Sequence, residues 1–118
     1  MLDEIKQALA AIDGQTVAFG DARSLSGTNL RNYTVFARDR TSISKDRHGS
    51  TDYFTFAVVR ENFIPEGLIH RTLQALWAIG LKGPSSEVEY DYGVIGKTGC
   101  VLEIAVFTMF RPEKRGAV

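Results

Sequence analysis

The triplet Gly96–Lys97–Thr98 has the residue types that close a phosphate-binding loop. That chemistry needs G-x-x-x-x-G-K-[ST] leading into a helix, so that consecutive backbone N–H groups wrap the phosphates. Asp91 stands where the first glycine is required, and the residues after Thr98 read as a strand. The triplet is therefore expected to be a hairpin turn. His48 and His70 are the two histidines. They are not spaced i, i+4 and neither neighbours the cysteine, whereas a zinc site needs four protein ligands, or three plus water. No metal and no cofactor are expected.

Glu87, Glu89 and Asp91 alternate along one stretch. Paired carboxylates do acid–base work when their environments push their pKa values apart. Alternate residues on one exposed strand have nearly equivalent surroundings, so this stripe reads as a solvated face. It also has the charge to meet a basic loop on another copy of the chain. No serine lies in a G-x-S-x-G elbow, and Cys100 has no adjacent base. Nothing supports nucleophilic catalysis, and the chain is expected not to be an enzyme.

The remaining chemistry-bearing cluster is basic: Arg38, Arg40, Lys45, Arg47 and His48, partly offset by Asp39 and Asp46. Such a cluster can touch phosphates, but readers of single strands usually add exposed aromatics, and this stretch has none. Lys plus Arg (14) equals Asp plus Glu (14), so the bulk charge attracts neither nucleic acid nor an anionic membrane. A nucleic-acid or small-ligand binding module using the basic loop and a sheet face is the alternative reading. Arg38, Arg40, Lys45 and Arg47, with Glu87, Glu89 and Asp91, form the candidate interface set.

A chain of 118 residues with 44% hydrophobic content suits a single domain spanning residues 1–118 with one core. The one cysteine excludes an intramolecular disulfide and reads as a small buried residue in a reducing compartment. The N-terminal stretch lacks a signal-peptide apolar region, and no apolar run approaches a membrane span. The expectation is a soluble protein made inside the cell.

Several elements position these residues. Leu2, Ile5, Leu9 and Ile12 step by three, four and three, which predicts a helix over Leu2–Ile12 that Asp13–Gly14 ends. Thr16–Phe19 is a short strand candidate, Gly20–Asn29 a polar loop, and Leu30–Arg38 a strand. Asp39–Ser50 reads as an exposed hairpin tip. Tyr53–Arg60 alternates, with Phe54, Phe56 and Val58 on one face. A helix is predicted within Asn62–Gly80, with Pro65 in its first turn, an apolar stripe of Leu68, Ile69, Leu73, Leu76 and Trp77, and Gly80 at its stop. Glu87–Val94 is a strand half in water, with Val88, Tyr90 and Tyr92 on the covered face. Cys100–Phe110 is the most apolar strand, placed centrally, and Arg111–Val118 is expected to fray. The class is α+β: an antiparallel or mixed sheet of four to five strands with two helices packed on one face.

Three segments taken together resemble a known family: Val58–Leu68 (VVRENFIPEGL), Tyr90–Tyr92 (YDY) and Val101–Lys114 (VLEIAVFTMFRPEK). They are similar to small tail-component proteins of siphophages and prophages of Gram-positive bacteria, often labelled minor capsid or tail proteins. The order of elements also resembles a lambda-type tail terminator. The resemblance covers about residues 50–115. It implies a virion structural protein at the tail or head–tail junction, made in the bacterial host cytoplasm. Such a protein forms a hexameric ring that caps the tail tube and joins it to the head. The implied partners are copies of itself, the tail-tube protein and the head–tail connector, with no membrane, and the family offers no catalytic residues to carry over. The resemblance leaves tail terminator and neighbouring connector component both open.

Overall fold

The computed structural model describes residues 1–12, 16–20, 31–43, 49–96 and 98–114, with residues 113 and 114 by their backbone alone. The elements run α1 (Leu2–Ala10), β1 (Val17–Phe19), β2 (Tyr33–Ile43), β3 (Gly49–Glu61), α2 (Leu68–Ala78), β4 (Glu89–Ile95) and β5 (Cys100–Lys114). The five strands form one sheet in the order β1-β2-β3-β5-β4. Three pairings are antiparallel, and β1 lies parallel to β2, so the sheet is mixed and the class is α+β. The chain between Phe19 and Tyr33 is long enough for the crossover that a parallel pair requires.

The core follows from strand alternation meeting helix periodicity. Phe54, Phe56 and Val58 of β3 and Ala105, Phe107 and Met109 of β5 point to the helix side, where Ile5 and Leu9 of α1 and Leu68, Leu73 and Leu76 of α2 cover them. Phe56 is at the centre. Its ring stacks on Phe107 at 5.2 Å and on Phe36 at 6.2 Å, and Phe19 meets Phe36 edge-on at 5.3 Å. The predicted α1 stripe is present, with Ile5 and Leu9 buried and Leu2 and Ile12 half-buried. The predicted stop at Asp13–Gly14 lies outside the described residues.

Several boundaries differ from expectation. The polar stretch after Arg38 is not a loop from Asp39 onward. β2 continues to Ile43, paired with Ser50, past a bulge between Arg38 and Arg40. Cross-strand contacts hold this polar ribbon: the Thr41 hydroxyl donates to Asp52 Oδ1 at 2.8 Å, and the Arg40 guanidinium lies 3.9 Å from the centre of the Tyr53 ring. The tail is also not free where it was expected to fray, because Arg111–Lys114 pair with Gly49–Asp52. Residues 115–118 lie outside the described set. β2, β3 and β5 thus form a continuous three-stranded ribbon.

α2 begins later than predicted. Asn62 adopts φ 69° and Gly67 φ 81°, left-handed values that no helix interior contains. Pro65 and Glu66 therefore precede the helix instead of forming its first turn. The stop at Gly80 is as expected, with φ 98°. Trp77 lies at the margin of the buried face, 42% exposed. The buried positions are Leu68, Thr72, Leu73 and Leu76, one step round the helix from it. Its indole N–H donates to Gly83 O at 2.8 Å. Cys100 is half-buried at the start of β5, not a core residue.

Candidate functional site

β5 is not the central strand but lies one in from the edge, and β4 closes that side of the sheet. The face of β4 expected to be covered is open. Tyr90 is 53% exposed and Tyr92 61%. Val94 and Val101, registered opposite each other, are also exposed on this side. Phe63, one residue past the bond from Asn62 N–H to Val101 O, adds a further exposed ring. Between Tyr90, Glu103 and the Ile64–Gly67 segment runs a groove of about 310 Å³ that Ile69 also lines.

Glu103 organises this end of the sheet. It is the one charge in the apolar run Val101–Phe110, and it lies opposite Arg60 on β3 and Tyr92 on β4. Its Oε1 accepts the Ile64 N–H at 2.8 Å, and its Oε2 accepts the Tyr92 hydroxyl at 2.7 Å. One carboxylate thus ties together the Val58–Leu68, Tyr90–Tyr92 and Val101–Lys114 segments. The Ile64 N–H first, and the Tyr92 hydroxyl second, hold Glu103 below the usual carboxylate range. In turn the bond to Glu103 raises Tyr92 above the ordinary phenol value.

The sign of the Glu103 effect sets a pH dependence. A carboxyl whose folded pKa is depressed contributes stability above its unfolded pKa and loses it as pH falls through the folded value. Unfolding midpoints of the wild type and Glu103→Gln should therefore differ most near neutral pH and converge below the ordinary carboxylate range. A gap that stays constant down to strong acid would remove the charge from this account. The effect is modest, since the group is solvent-screened.

The other chemistry-bearing residues remain apart. Gly96 and Thr98 lie in the β4–β5 turn, with the Thr98 and Gly99 N–H groups donating to Ile95 O, and Lys97 lies outside the described residues. His48 lies outside them as well, while His70 is exposed on α2, edge-on to Trp77 at 6.3 Å. Partial burial first, then the Glu61 carboxylate, push the Cys100 thiol up. Among the described residues no three His, Cys, Asp or Glu side chains gather in a metal-binding group. A second hollow, of about 280 Å³, is lined by Met1, Leu2, Arg38, Arg40, Asp52 and Tyr53.

Of the candidate interface set, Arg38 and Arg40 lie on the outer part of β2, where Arg40 also pairs with Asp39 at 2.8 Å. Lys45 and Arg47 fall outside the described residues. Glu89 and Asp91 are exposed on β4, and Glu87 just precedes it. β3 and β5 separate the two groups, so among the described residues these acids and bases do not meet within one molecule. Glu103 and Phe63 were not singled out from sequence, although a lone glutamate inside an apolar strand was a readable signal.

A protein in the "Virion of native gene transfer agent (GTA) particle" aligns over 92% of this chain and 92% of its own, at 13% identity and a TM-score of 0.46. No family model matches, and no curated protein matches. A likeness at that score carries no argument about function, and the functional reading below rests on this chain's own residues.

Proposed function

We propose that this chain is a structural protein of a phage- or prophage-type virion, that it resembles a tail terminator, and that it works by assembling with copies of itself and docking on the tail tube. It performs no bond-making chemistry. The observation that carries this reading is the convergence on Glu103. The three segments that resemble tail-component proteins are distant in sequence yet meet at one carboxylate, beside exposed Phe63, Tyr90, Tyr92, Val94 and Val101. A rim of large exposed apolar side chains around a rigid polar tie suits an assembly surface. Opposite charges on separate parts of the sheet suit head-to-tail contacts, which need two different complementary patches.

The test is made on particles. In cells that produce the virion, the chain should be recovered from purified particles, and its deletion should leave heads and tails unjoined. A chain absent from particles, whose deletion leaves particle yield unchanged and which shifts DNA in a salt-sensitive manner, would overturn the proposal in favour of a nucleic-acid binding module.

A further inference from the structure

Among the described residues the sheet has two unpaired flanks, and the hydrogen-bond pattern identifies the residues that present them. Lys82 and Phe110 exchange both backbone bonds, and the Ser85 N–H donates to Thr108 O. Even-numbered residues of β5 therefore turn their main chain toward β4. Their partners Glu89, Asp91 and Gly93 face inward, and alternation turns the backbone groups of Tyr90, Tyr92 and Val94 away from the sheet. The Tyr92 N–H, on that outer side, is taken up by Asp91 Oδ1 at 2.8 Å.

On the opposite side β1 covers little of β2. Thr34 N–H donates to Thr16 O and Phe36 O accepts from Gly20 N–H, and β1 ends at Phe19. From Ala37 to Ile43 no strand among the described residues pairs with the outer flank of β2. After the bulge, Thr41 and Ile43 turn their backbone outward there.

We propose that the β4 edge of one copy pairs with the Ala37–Ile43 flank of β2 in the next copy, so that the sheet continues from subunit to subunit. This rests on the self-assembling reading above and names its contact. Strand direction agrees: β2 runs parallel to β5, and β4 runs against β5, so stacking copies without inversion brings β4 against β2 antiparallel. Side-chain chemistry agrees face by face. Away from the helices, Glu89 and Asp91 of β4 meet Arg40, which lies over Tyr53. With Asp91 opposite Arg40, Tyr90 lies opposite Thr41 on the helix side and diagonally beside Ile43, itself 62% exposed.

The same charges select the arrangement. Two β4 edges together would oppose Glu89 and Asp91 to their own kind, and two β2 flanks would oppose Arg38 and Arg40. Like charges across a strand pair are destabilising. The acid-to-base combination is heterologous, and a heterologous contact builds a ring when its rotation closes. Backbone pairing with an exposed edge is a common recognition mode, and here each partner supplies one half of it.

The experiment is native mass spectrometry of the full chain over a concentration series. The wild type should assemble. Arg40→Glu should raise the concentration for half-assembly by about tenfold or more, because a pairing charge becomes a repelling one. Adding Glu89→Lys and Asp91→Lys to Arg40→Glu should restore assembly. Tyr90→Pro removes an outward N–H without touching an internal ladder bond or the Glu103 tie, so it should give folded monomer. If that variant fails to fold, Arg40→Glu and its charge-restored form decide the matter. Assemblies indifferent to Arg40→Glu and Tyr90→Pro, or a wild type monomeric throughout, overturn the edge contact. Recovery of the chain from purified particles would then still support the virion reading.

Discussion

Phe56→Ala should destabilise the fold by roughly 3–5 kcal/mol, the range for removing a large buried aromatic. Phe56 is 1% exposed on the central strand, with Phe36 stacked on one side and Phe107 on the other. Truncation removes both ring contacts and leaves a hole between β2, β3 and β5. α1 and α2 can collapse into that hole only by leaving their own contacts with the sheet. Against a total of about 5–15 kcal/mol for a domain of this kind, such a loss leaves a marginal protein. Phe63→Ala is the matched comparison, because Phe63 is 66% exposed and its loss should change stability by no more than about 0.5 kcal/mol. Urea unfolding monitored by circular dichroism reads both. Equal midpoint shifts for the two variants would remove Phe56 from its central role. On the assembly reading, Phe63→Ala should instead weaken association while its unfolding midpoint stays in place.

The elements legible in the sequence were those whose periodicity is enforced by burial on one side. Phe54, Phe56 and Val58 alternate because helices cover one face of β3, and Leu68, Leu73 and Leu76 repeat at helical spacing because the sheet covers one face of α2. Where burial no longer discriminates, the pattern misled. Asp39–Ser42 is polar and exposed on both sides, so its strand character shows only in pairs such as Thr41–Asp52 and Arg40–Tyr53. β4 alternates cleanly, but alternation reports two faces without saying whether anything lies over either. Tyr90 and Tyr92 are exposed on a strand at the edge of the sheet.

The start of α2 was misplaced for a backbone reason. Pro65 and Glu66 have good first-turn chemistry, yet Gly67 at φ 81° interrupts the chain after them. The candidate surface was half visible. The acidic residues of β4 and the arginines of β2 were readable as opposite charges. The positions that make them neighbours of a second copy depend on strand order and on which backbone groups face outward, and neither is written in composition. Glu103 depends on contacts from three segments distant in sequence, so only the fold reveals what it joins.

Gly83→Ala should cost roughly 2–6 kcal/mol, from two sources that act at the same atom. Gly83 has φ +111°, where a side chain adds strain of order 1–3 kcal/mol. An added Cβ would also stand 2.8 Å from Ser85 N, with Phe110 Cε1 and Thr108 O each at 3.4 Å. Crowding of a packed site adds about 1–3 kcal/mol. Relief is restricted because both flanks are anchored: Lys82 pairs with Phe110, Ser85 donates to Thr108 O, and Leu81 is 2% exposed in the core. The carbonyl of Gly83 is also the acceptor for the Trp77 indole, so any displacement reaches the single tryptophan of the chain. Gly96→Ala is the control, since a Cβ there meets nothing within 4 Å and the backbone is not left-handed. The expected outcome is a large drop in the unfolding midpoint and a changed native tryptophan emission for Gly83→Ala, with neither for Gly96→Ala. If Gly83→Ala unfolds like the wild type with the same emission, the segment between α2 and β4 is not clamped to β5, and the outer edge on which β4 presents Tyr90 and Tyr92 loses its support.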